Sequence, residues 1–357
     1  MKTLRRYLVS EIIGATALVF LALLMLFAFF DLADQIRDLG RGGYRLRNIM
    51  VHVLLSVPDH IYELFPIAAL IGTLFALAQL VATSEYTVMR TSGVSIFRMC
   101  AALMGAGVLF AVLTFVFGEF IAPPAEQLAQ RLRSQAITGL VAQEFRSGLW
   151  IKDGRNFVNV AEVTPDSRLK GVRVYEFDDQ YRLRSISLAK SGNYLGERRW
   201  LLKDVTRTTF EDTKTSISTS AEERWQSALD PELLNVLLVQ PDKMSAWSLY
   251  TYAQHLRENR QKALQYEIAL WTKLMYPVAV LVMMLLALPF AYTQGRQGGV
   301  GAKIFTGIML GLAFYFLNQL TAHLGLLNDW SPMLSATLPT LIFLSLAIGM
   351  LWWQERR

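Results

Sequence analysis

The sequence predicts an α-helical membrane protein with six transmembrane helices and an all-β domain inserted after the third. Six runs without charged residues, each at least 19 residues long, lie three on either side of a charged segment from Glu119 to Lys273. About 20 helical residues cross a hydrocarbon core of roughly 30 Å. Apolar residues make up 53% of the chain and charged residues only 18%, a composition too apolar for a soluble protein of 357 residues.

Charged residues bound each predicted span. The first three runs lie between Glu11 and Asp31, Glu63 and Glu85, and Arg98 and Glu119, and the last three lie between Lys273 and Arg296, Lys303 and Asp329, and Asp329 and Glu355. Lys2, Arg5 and Arg6 precede the first run, as in a signal peptide, but no small-residue cleavage site follows it. We therefore interpret the first run as a retained span.

The distribution of basic residues predicts cytoplasmic termini. The N-terminal cations, the loops around Arg90 and Arg296, and terminal Arg356 all lie on one side if the six spans alternate in direction. The charged middle segment is then periplasmic in a Gram-negative organism. The first periplasmic loop does not follow the rule that basic residues are cytoplasmic, because it contains Arg37, Arg41, Arg45 and Arg47. Either the predicted topology is in error or these cations are outside for a function, and we favour the second interpretation.

The middle segment carries the pattern of an antiparallel sheet or sandwich. The predicted strands are Leu149 to Lys152, Phe157 to Val163, Gly171 to Phe177, Tyr181 to Ala189 and Trp200 to Phe210, with turns at Asp153-Gly154 and Asp178-Asp179. Helical spacing from Ala125 to Ile137 and from Ala246 to Trp271 flanks them. The single cysteine, Cys100, lies in the third span, so we expect no disulfide. A docking module and a groove for a lipidic ligand both fit this pattern.

Catalytic and nucleotide-binding motifs do not emerge from the sequence. The glycine-rich stretch from Gly295 to Lys303 lacks the Gly-Lys-Ser/Thr ending of a P-loop, so ATP hydrolysis would need another subunit. His52, Asp59, His60 and Glu63 cluster before the second apolar run. A metal or proton site is one hypothesis, but Pro58 and Pro66 interrupt a common helical face, and we favour interfacial polar residues.

The loop from Thr83 to Arg98 predicts a short cytoplasmic helix. Ser84 can cap it, Glu85 lies in its first turn, Tyr86 and Met89 give it an apolar face, and Gly93 can end it. Such a helix can fill a groove in a partner protein, or it can lie on the membrane surface.

Several motifs resemble the LptF/LptG permeases of lipopolysaccharide export, over the whole chain. They are Ser84-Glu85-x-x-Val88-Met89-Arg90-x-x-Gly93-Val94-Ser95, Gly118-Glu119-x-x-Ala122-Pro123, Gly148-Leu149-Trp150, Asp153-Gly154 and Phe157-Val158. Leu55-x-x-Pro58, Phe65-Pro66-x-Ala68-Ala69-Leu70 and Trp271-x-Lys273 make the chain more similar to the LptG branch than to the LptF branch.

The resemblance implies a division of the chain into three parts. Residues 1–124 would hold the first three spans with a coupling helix at about 83–97, residues 125–265 a periplasmic jellyroll-like β domain with flanking helices, and residues 266–357 the last three spans. It implies a heterodimer with an LptF-like permease, two LptB-like ATPase subunits that bind ATP, and an LptC-like bitopic protein leading to a periplasmic bridge. No cofactor, metal or nucleic acid is expected in this chain.

The resemblance also implies functions for two groups of residues. Glu85, Tyr86, Met89 and Arg90 would contact the ATPase, and Arg37, with Arg41, Arg45 or Arg47, would hold lipopolysaccharide phosphates. Asp31 and Asp38 stand where the family carries basic residues, which is a departure from its pattern. A membrane-anchored scaffold without transport is the alternative function, and an intramembrane enzyme using His52, His60 or His323 is a more remote one.

Overall fold

The computed structural model describes residues 2–40, 43–136, 148–163, 168–196, 198–211, 214–227, 240–259, 261–293 and 300–356. Within these ranges, six helices are long and apolar enough to cross a membrane, three before and three after an antiparallel sheet of six strands. This arrangement confirms the predicted fold class of a six-span helical membrane protein with an inserted all-β domain.

The helices of the first half are α1 (Lys2–Gln35), α2 (Leu46–Ala82), the short α3 (Glu85–Thr91), α4 (Ile96–Val116) and α5 (Ala122–Ala136). A π-helical turn, Phe117–Ile121, joins α4 to α5, so the third span continues beyond the apolar run. The second half holds α6 (Ala246–Glu258), α7 (Leu264–Thr293), α8 (Val300–Leu327) and α9 (Pro332–Glu355). The predicted helix from Ala246 to Trp271 is thus two helices, because α6 ends at Glu258 and α7 begins at Leu264.

Helix α2 is longer than the sequence analysis predicted. It begins at Leu46 and continues through Pro58 and Pro66 for 37 residues, or about 55 Å. The expectation that the two prolines interrupt a common helical face was wrong. Neighbouring helices that pack on α2 hold it together where a proline removes a backbone hydrogen bond, which is common in membrane bundles. The polar residues from His52 to Glu63 therefore belong to the same continuous helix as the apolar run.

Helices α2 and α7 form the centre of the bundle, whereas few residues of α1 and α8 are fully buried. Small residues allow the close contacts with α2. A Cβ at Gly72 would overlap the Thr16 backbone of α1, and a Cβ at Gly311 would lie 2.9 Å from Ile67 Cγ2. Glycines at these positions bring neighbouring helices together where a larger residue would separate them.

The sheet is a sequential antiparallel meander. Its strands are β1 (Leu149–Asp153), β2 (Asn156–Val163), β3 (Leu169–Phe177), β4 (Leu183–Gly196), β5 (Arg199–Glu211) and β6 (Lys214–Gln226), in the order β1-β2-β3-β4-β5-β6. One face buries an apolar cluster that includes Val158, Val172 and Trp200. The turns predicted at Asp153-Gly154 and Asp178-Asp179 are present, and Asp178 accepts hydrogen bonds from the backbone N–H groups of Gln180 and Arg182.

Candidate functional site

Exposed arginines lie at the connection between α1 and α2. Arg37 is in the 3-10 turn Ile36–Asp38 that follows α1, Arg45 is the N-cap residue of α2, and Arg47 is in its first turn. All three side chains are exposed, and we call them the outer arginines. Arg41, which the sequence analysis grouped with them, lies outside the described residues.

The outer arginines have little competition from acidic side chains. Arg37 has a long contact of 3.7 Å with Asp34, and both side chains are more than 70% exposed. Exposed ion pairs of this kind contribute little free energy. Arg45 and Arg47 have no ion-pair partner among the residues that the structure describes. The three guanidinium groups are thus free to bind an anion.

Asp31 and Asp38, which stand on either side of Arg37 in the sequence, have cationic or ionisable partners elsewhere in the bundle. His60 Nε2 of α2 lies 2.6 Å from Asp31 Oδ2, and Arg133 of α5 donates to Asp38 Oδ2 at 2.7 Å. The Asp38 side chain is only 13% exposed. Because Arg133 offsets the charge of Asp38 locally, the positive charge of the neighbouring Arg37 is preserved.

Tyr44 fixes the connection between α1 and α2 against the bundle. Its side chain is 2% exposed, and its hydroxyl donates to Gln35 Oε1 at 3.0 Å. Burial raises the pKa of the Tyr44 phenol, so the neutral donor is the form present at physiological pH. Arg37 and Arg45 therefore each lie within two residues of a side chain in this buried contact.

A second polar region lies between α2, α5 and the turn before α6. Lys243 Nζ is 3.2 Å from Glu126 Oε1 and 3.7 Å from Asp59 Oδ2. Burial alone would lower the pKa of Lys243, but attraction by Glu126 and Asp59 exceeds that effect, and the pKa is raised. The Glu126 side chain is only 2% exposed. We call Asp59, Glu126 and Lys243 the buried ionic cluster.

The same region attaches α6 to the transmembrane bundle. Glu119 of the π-helical turn accepts hydrogen bonds from the backbone N–H groups of Ala246, at 2.7 Å, and Trp247, at 3.2 Å. A carboxylate at a helix N-terminus satisfies free donors and complements the helix dipole. Lys273 of α7 donates to the carbonyl of Met244. Four elements of the bundle thus hold the start of α6.

These contacts refine the prediction for His52, Asp59, His60 and Glu63. The residues are partly or fully buried, and two of them have charged partners on other elements: Asp59 contacts Lys243, and His60 contacts Asp31. Within the described part of the chain, no group of three or more His, Cys, Asp or Glu residues could hold a metal ion. The arrangement is that of an ion-pair network between helices.

At the opposite end of α1, the short helix α3 contains Glu85. Tyr7 of α1 donates a hydrogen bond to Glu85 Oε2 at 2.8 Å, and Thr83 Oγ1 donates to Glu85 Oε1 at 3.1 Å. The helix begins differently from the prediction, because the Ser84 side chain makes no cap hydrogen bond and its backbone is left-handed, with φ +61°. Gly93, with φ +88°, ends the helix as predicted.

The two faces of α3 have different surroundings. Met89 is buried in the main apolar cluster, and Tyr86 packs against that cluster. Val88 is 62% exposed, and Arg90 is exposed while it donates to the Val94 carbonyl at 3.2 Å. Tyr86 and Met89 therefore anchor α3 to its own bundle, whereas Val88, Arg90 and part of Glu85 face outward.

The sequence analysis did not single out Arg133, or Glu126 and Lys243 of the buried ionic cluster. Arg133 lies within the helix predicted from Ala125 to Ile137, and its partner Asp38 is 95 residues away in the chain. Lys243 lies 117 residues from Glu126. No local spacing signals pairs of this kind.

Comparison with known proteins gives a consistent result over almost the whole chain. Residues 6–353 match the family model described as "Lipopolysaccharide export system permease LptF/LptG". The chain is 34% identical over 352 residues to the lipopolysaccharide export system permease protein LptG of Haemophilus influenzae, covering 98% of this chain and 97% of that protein. It is 32% identical over 350 residues to LptG of Escherichia coli K12, with the same coverage.

Proposed function

This chain belongs to the LptF/LptG family of lipopolysaccharide export permeases, and from that premise we propose how its parts move the lipid. Membership makes it a multi-pass inner-membrane permease of lipopolysaccharide export. We propose that it extracts lipopolysaccharide from the outer leaflet of the inner membrane and passes it toward a periplasmic bridge. Both termini would be cytoplasmic and the sheet periplasmic.

The outer arginines supply the polar part of this proposal. Lipopolysaccharide carries phosphates at the height of the membrane surface, and guanidinium groups bind phosphate in bidentate geometry. Three exposed arginines, Arg37, Arg45 and Arg47, can bind these phosphates. Arg133 neutralises the nearby Asp38. This single observation carries the proposal: three exposed arginines stand at the outer end of the bundle, and the one ion-pair contact that they have among the described residues is the long one between Arg37 and the exposed Asp34.

The exposed faces of α1 and α8 supply the apolar part. Leu18, Leu21 and Phe29 on α1 and Phe305, Leu312 and Phe316 on α8 are more than half exposed. In this proposal the faces border a cavity shared with an LptF-like permease, and acyl chains occupy it. Transfer of acyl chains from bilayer to an equally apolar cavity costs little free energy, because neither side contains water.

The energy source would be a separate ATPase. We propose that two LptB-like subunits bind the cytoplasmic side and that α3 is the helix they contact. Glu85 offers a carboxylate to a cation of the partner, Val88 and Arg90 form the exposed side of the contact, and Tyr86 and Met89 hold α3 on the bundle. Closure of the ATPase dimer would narrow the cavity and expel the lipid toward an LptC-like protein.

Depletion of the protein in its own cells tests the transport function. We expect newly made lipopolysaccharide to accumulate in the inner membrane, and we expect the protein, when purified, to carry a second permease and an ATPase with it. A matched depletion rescued by the wild-type chain is the control. Normal arrival of lipopolysaccharide at the outer membrane after depletion would favour the scaffold alternative and contradict the proposal.

A further inference from the structure

The hydrogen bond between Tyr7 and Glu85 joins two elements that are distant in sequence. Tyr7 lies two turns into α1, and Glu85 is the first residue of α3. The bond is 2.8 Å long and spans 78 residues of chain. Thr83 occupies the other carboxylate oxygen. A carboxylate has about four lone-pair positions, so these two donors leave it able to accept from a partner as well.

Helix α3 depends on such contacts for its position. With seven residues, it is far shorter than the about 12 to 15 residues at which isolated helices become even marginally stable. Met89 anchors its buried side through apolar packing, which is non-directional. A hydrogen bond has a preferred geometry, so the Tyr7 hydroxyl fixes the direction of the Glu85 side chain in a way that packing does not.

Helix α1 connects this bond to the outer arginines. It runs without proline from Lys2 to Gln35, which at 34 residues corresponds to about 50 Å, and the turn with Arg37 follows directly. Between its ends, α1 packs on α2 where Gly72 leaves room for the Thr16 backbone. A displacement at Tyr7 can therefore reach the outer end through one continuous helix that rests on α2 at Thr16.

We propose that Tyr7 is a positioning residue that couples α3 to α1. Its hydroxyl holds the Glu85 carboxylate, so that movement of α3 by the ATPase displaces the first span and, at its far end, Arg37. This inference rests on the proposed function, because it takes α3 as the element that the ATPase moves. In this role Tyr7 transmits movement from α3 to α1 and contacts neither ATP nor lipid.

The test uses the complete complex of this chain with its partner permease and ATPase, reconstituted with lipopolysaccharide. The variant Tyr7→Phe removes one hydroxyl and leaves the ring. We expect lipopolysaccharide released per ATP hydrolysed to fall about fivefold, in keeping with the loss of one hydrogen bond of ordinary strength at an exposed site. Tyr181→Phe, at an exposed tyrosine in the β3–β4 loop, is the matched control and should leave the ratio unchanged.

A double-mutant cycle separates coupling from general damage. Addition of Glu85→Ala to Tyr7→Phe should lower the ratio no further than Glu85→Ala alone, because both changes remove the same bond. Tyr7→His, which restores a ring N–H donor, should recover part of the ratio. If Tyr7 has a purely structural role, Tyr7→Phe should instead lower the yield and thermal midpoint of the complex. The folded complex that remains should then release as much lipopolysaccharide per ATP hydrolysed as the wild type.

Two negative results have different meanings. If Glu85→Ala lowers the ratio and Tyr7→Phe does not, the role of Tyr7 is refuted while α3 remains the coupling element. If neither variant changes the ratio, both the role of Tyr7 and the assignment of α3 in the proposed function are refuted. The inference would also be refuted if the fold decreases in lipopolysaccharide released per ATP, measured for the two single variants, multiply in the double variant.

Discussion

Lys243 Nζ lies 3.2 Å from the almost fully buried Glu126 Oε1, and this contact joins the turn before α6 to the helix that leaves the third span. Asp59 of α2 approaches the same ammonium group at 3.7 Å. Together with the Glu119 cap, the contact attaches the segment that follows the sheet to the transmembrane bundle. The Glu126 side chain is 2% exposed and the Lys243 side chain 31%, and the contribution of this ion pair to stability is directly testable.

The variant Lys243→Met should destabilise the protein. It leaves the Glu126 carboxylate buried without its cation, and with Lys243 about one-third exposed we expect a loss of about 1–3 kcal/mol. Addition of Glu126→Leu should recover part of that loss, because the more deeply buried of the two carboxylates that face Lys243 is then absent and only Asp59 is left without its cation. Thermal unfolding in detergent measures both. Lys190→Met, which breaks an exposed pair with Asp204, is the control; an equal effect of the two lysine variants would refute the importance of the buried ionic cluster.

The raised pKa of Lys243 predicts a dependence of stability on alkaline pH. Burial alone would lower the pKa from its ordinary value of 10.5, but Glu126 and Asp59 raise it. The stabilisation should be complete below the unfolded-state pKa of about 10.4 and should be lost as the pH rises through the folded-state pKa. The difference in thermal midpoint between the wild type and Lys243→Met should therefore be constant from about pH 7 to pH 9 and decrease above about pH 10.4. A difference that grows with alkaline pH would contradict this sign.

Two glycines in membrane helices should differ in their tolerance of alanine. At Gly72 a Cβ would overlap the backbone of Thr16, whereas at Gly14 no atom lies within 4 Å of an added Cβ. Gly72→Ala should separate α1 from α2 and lower the thermal midpoint, and Gly14→Ala should be neutral or slightly stabilising, since alanine favours helix. Equal midpoints for the two variants would show that α1 does not pack on α2 at this position.

The outward side of α3 should bind the ATPase. We expect Glu85→Ala to lower co-purification of the ATPase, or the ATPase rate in the complex, by about tenfold, since it removes a charge-assisted contact. Glu258→Ala, at an exposed position on α6, is the matched control. Retention of normal binding and turnover by Glu85→Ala would remove this residue from the contact.

The spans and most strands were predictable because their signals are local. A run without charges partitions into lipid regardless of what it later contacts, and Asp153-Gly154 favours a turn by its own backbone preferences. Strand β6 was missed because its side chains are almost all exposed, and an edge strand of Ser, Thr and Glu lacks apolar alternation. The strand is present because its backbone pairs with β5 along its whole length.

The polar contacts were not predictable from local pattern. The predicted second span began too late because charged residues such as Asp59 and Glu63 usually mark the boundary of a span. Helix α2 nevertheless contains both residues. Lys243, far away in the chain, provides a partner for Asp59. Asp31 and Asp38 looked like a departure that weakens a phosphate site. The partners that compensate them, His60 and Arg133, lie on other helices and become visible only when those helices are packed.

One measurement tests most directly whether the outer arginines hold lipopolysaccharide during ATP-driven release. The reconstituted complex carrying Arg37→Gln, Arg45→Gln and Arg47→Gln should release lipopolysaccharide to a periplasmic acceptor at least about tenfold more slowly than the wild type, because charge-assisted phosphate contacts are lost. The control removes three arginines, Arg173, Arg184 and Arg224, that are exposed on the sheet. It should release lipid at the wild-type rate. Wild-type release by the variant without the outer arginines, or an equal loss in the control, would contradict the account.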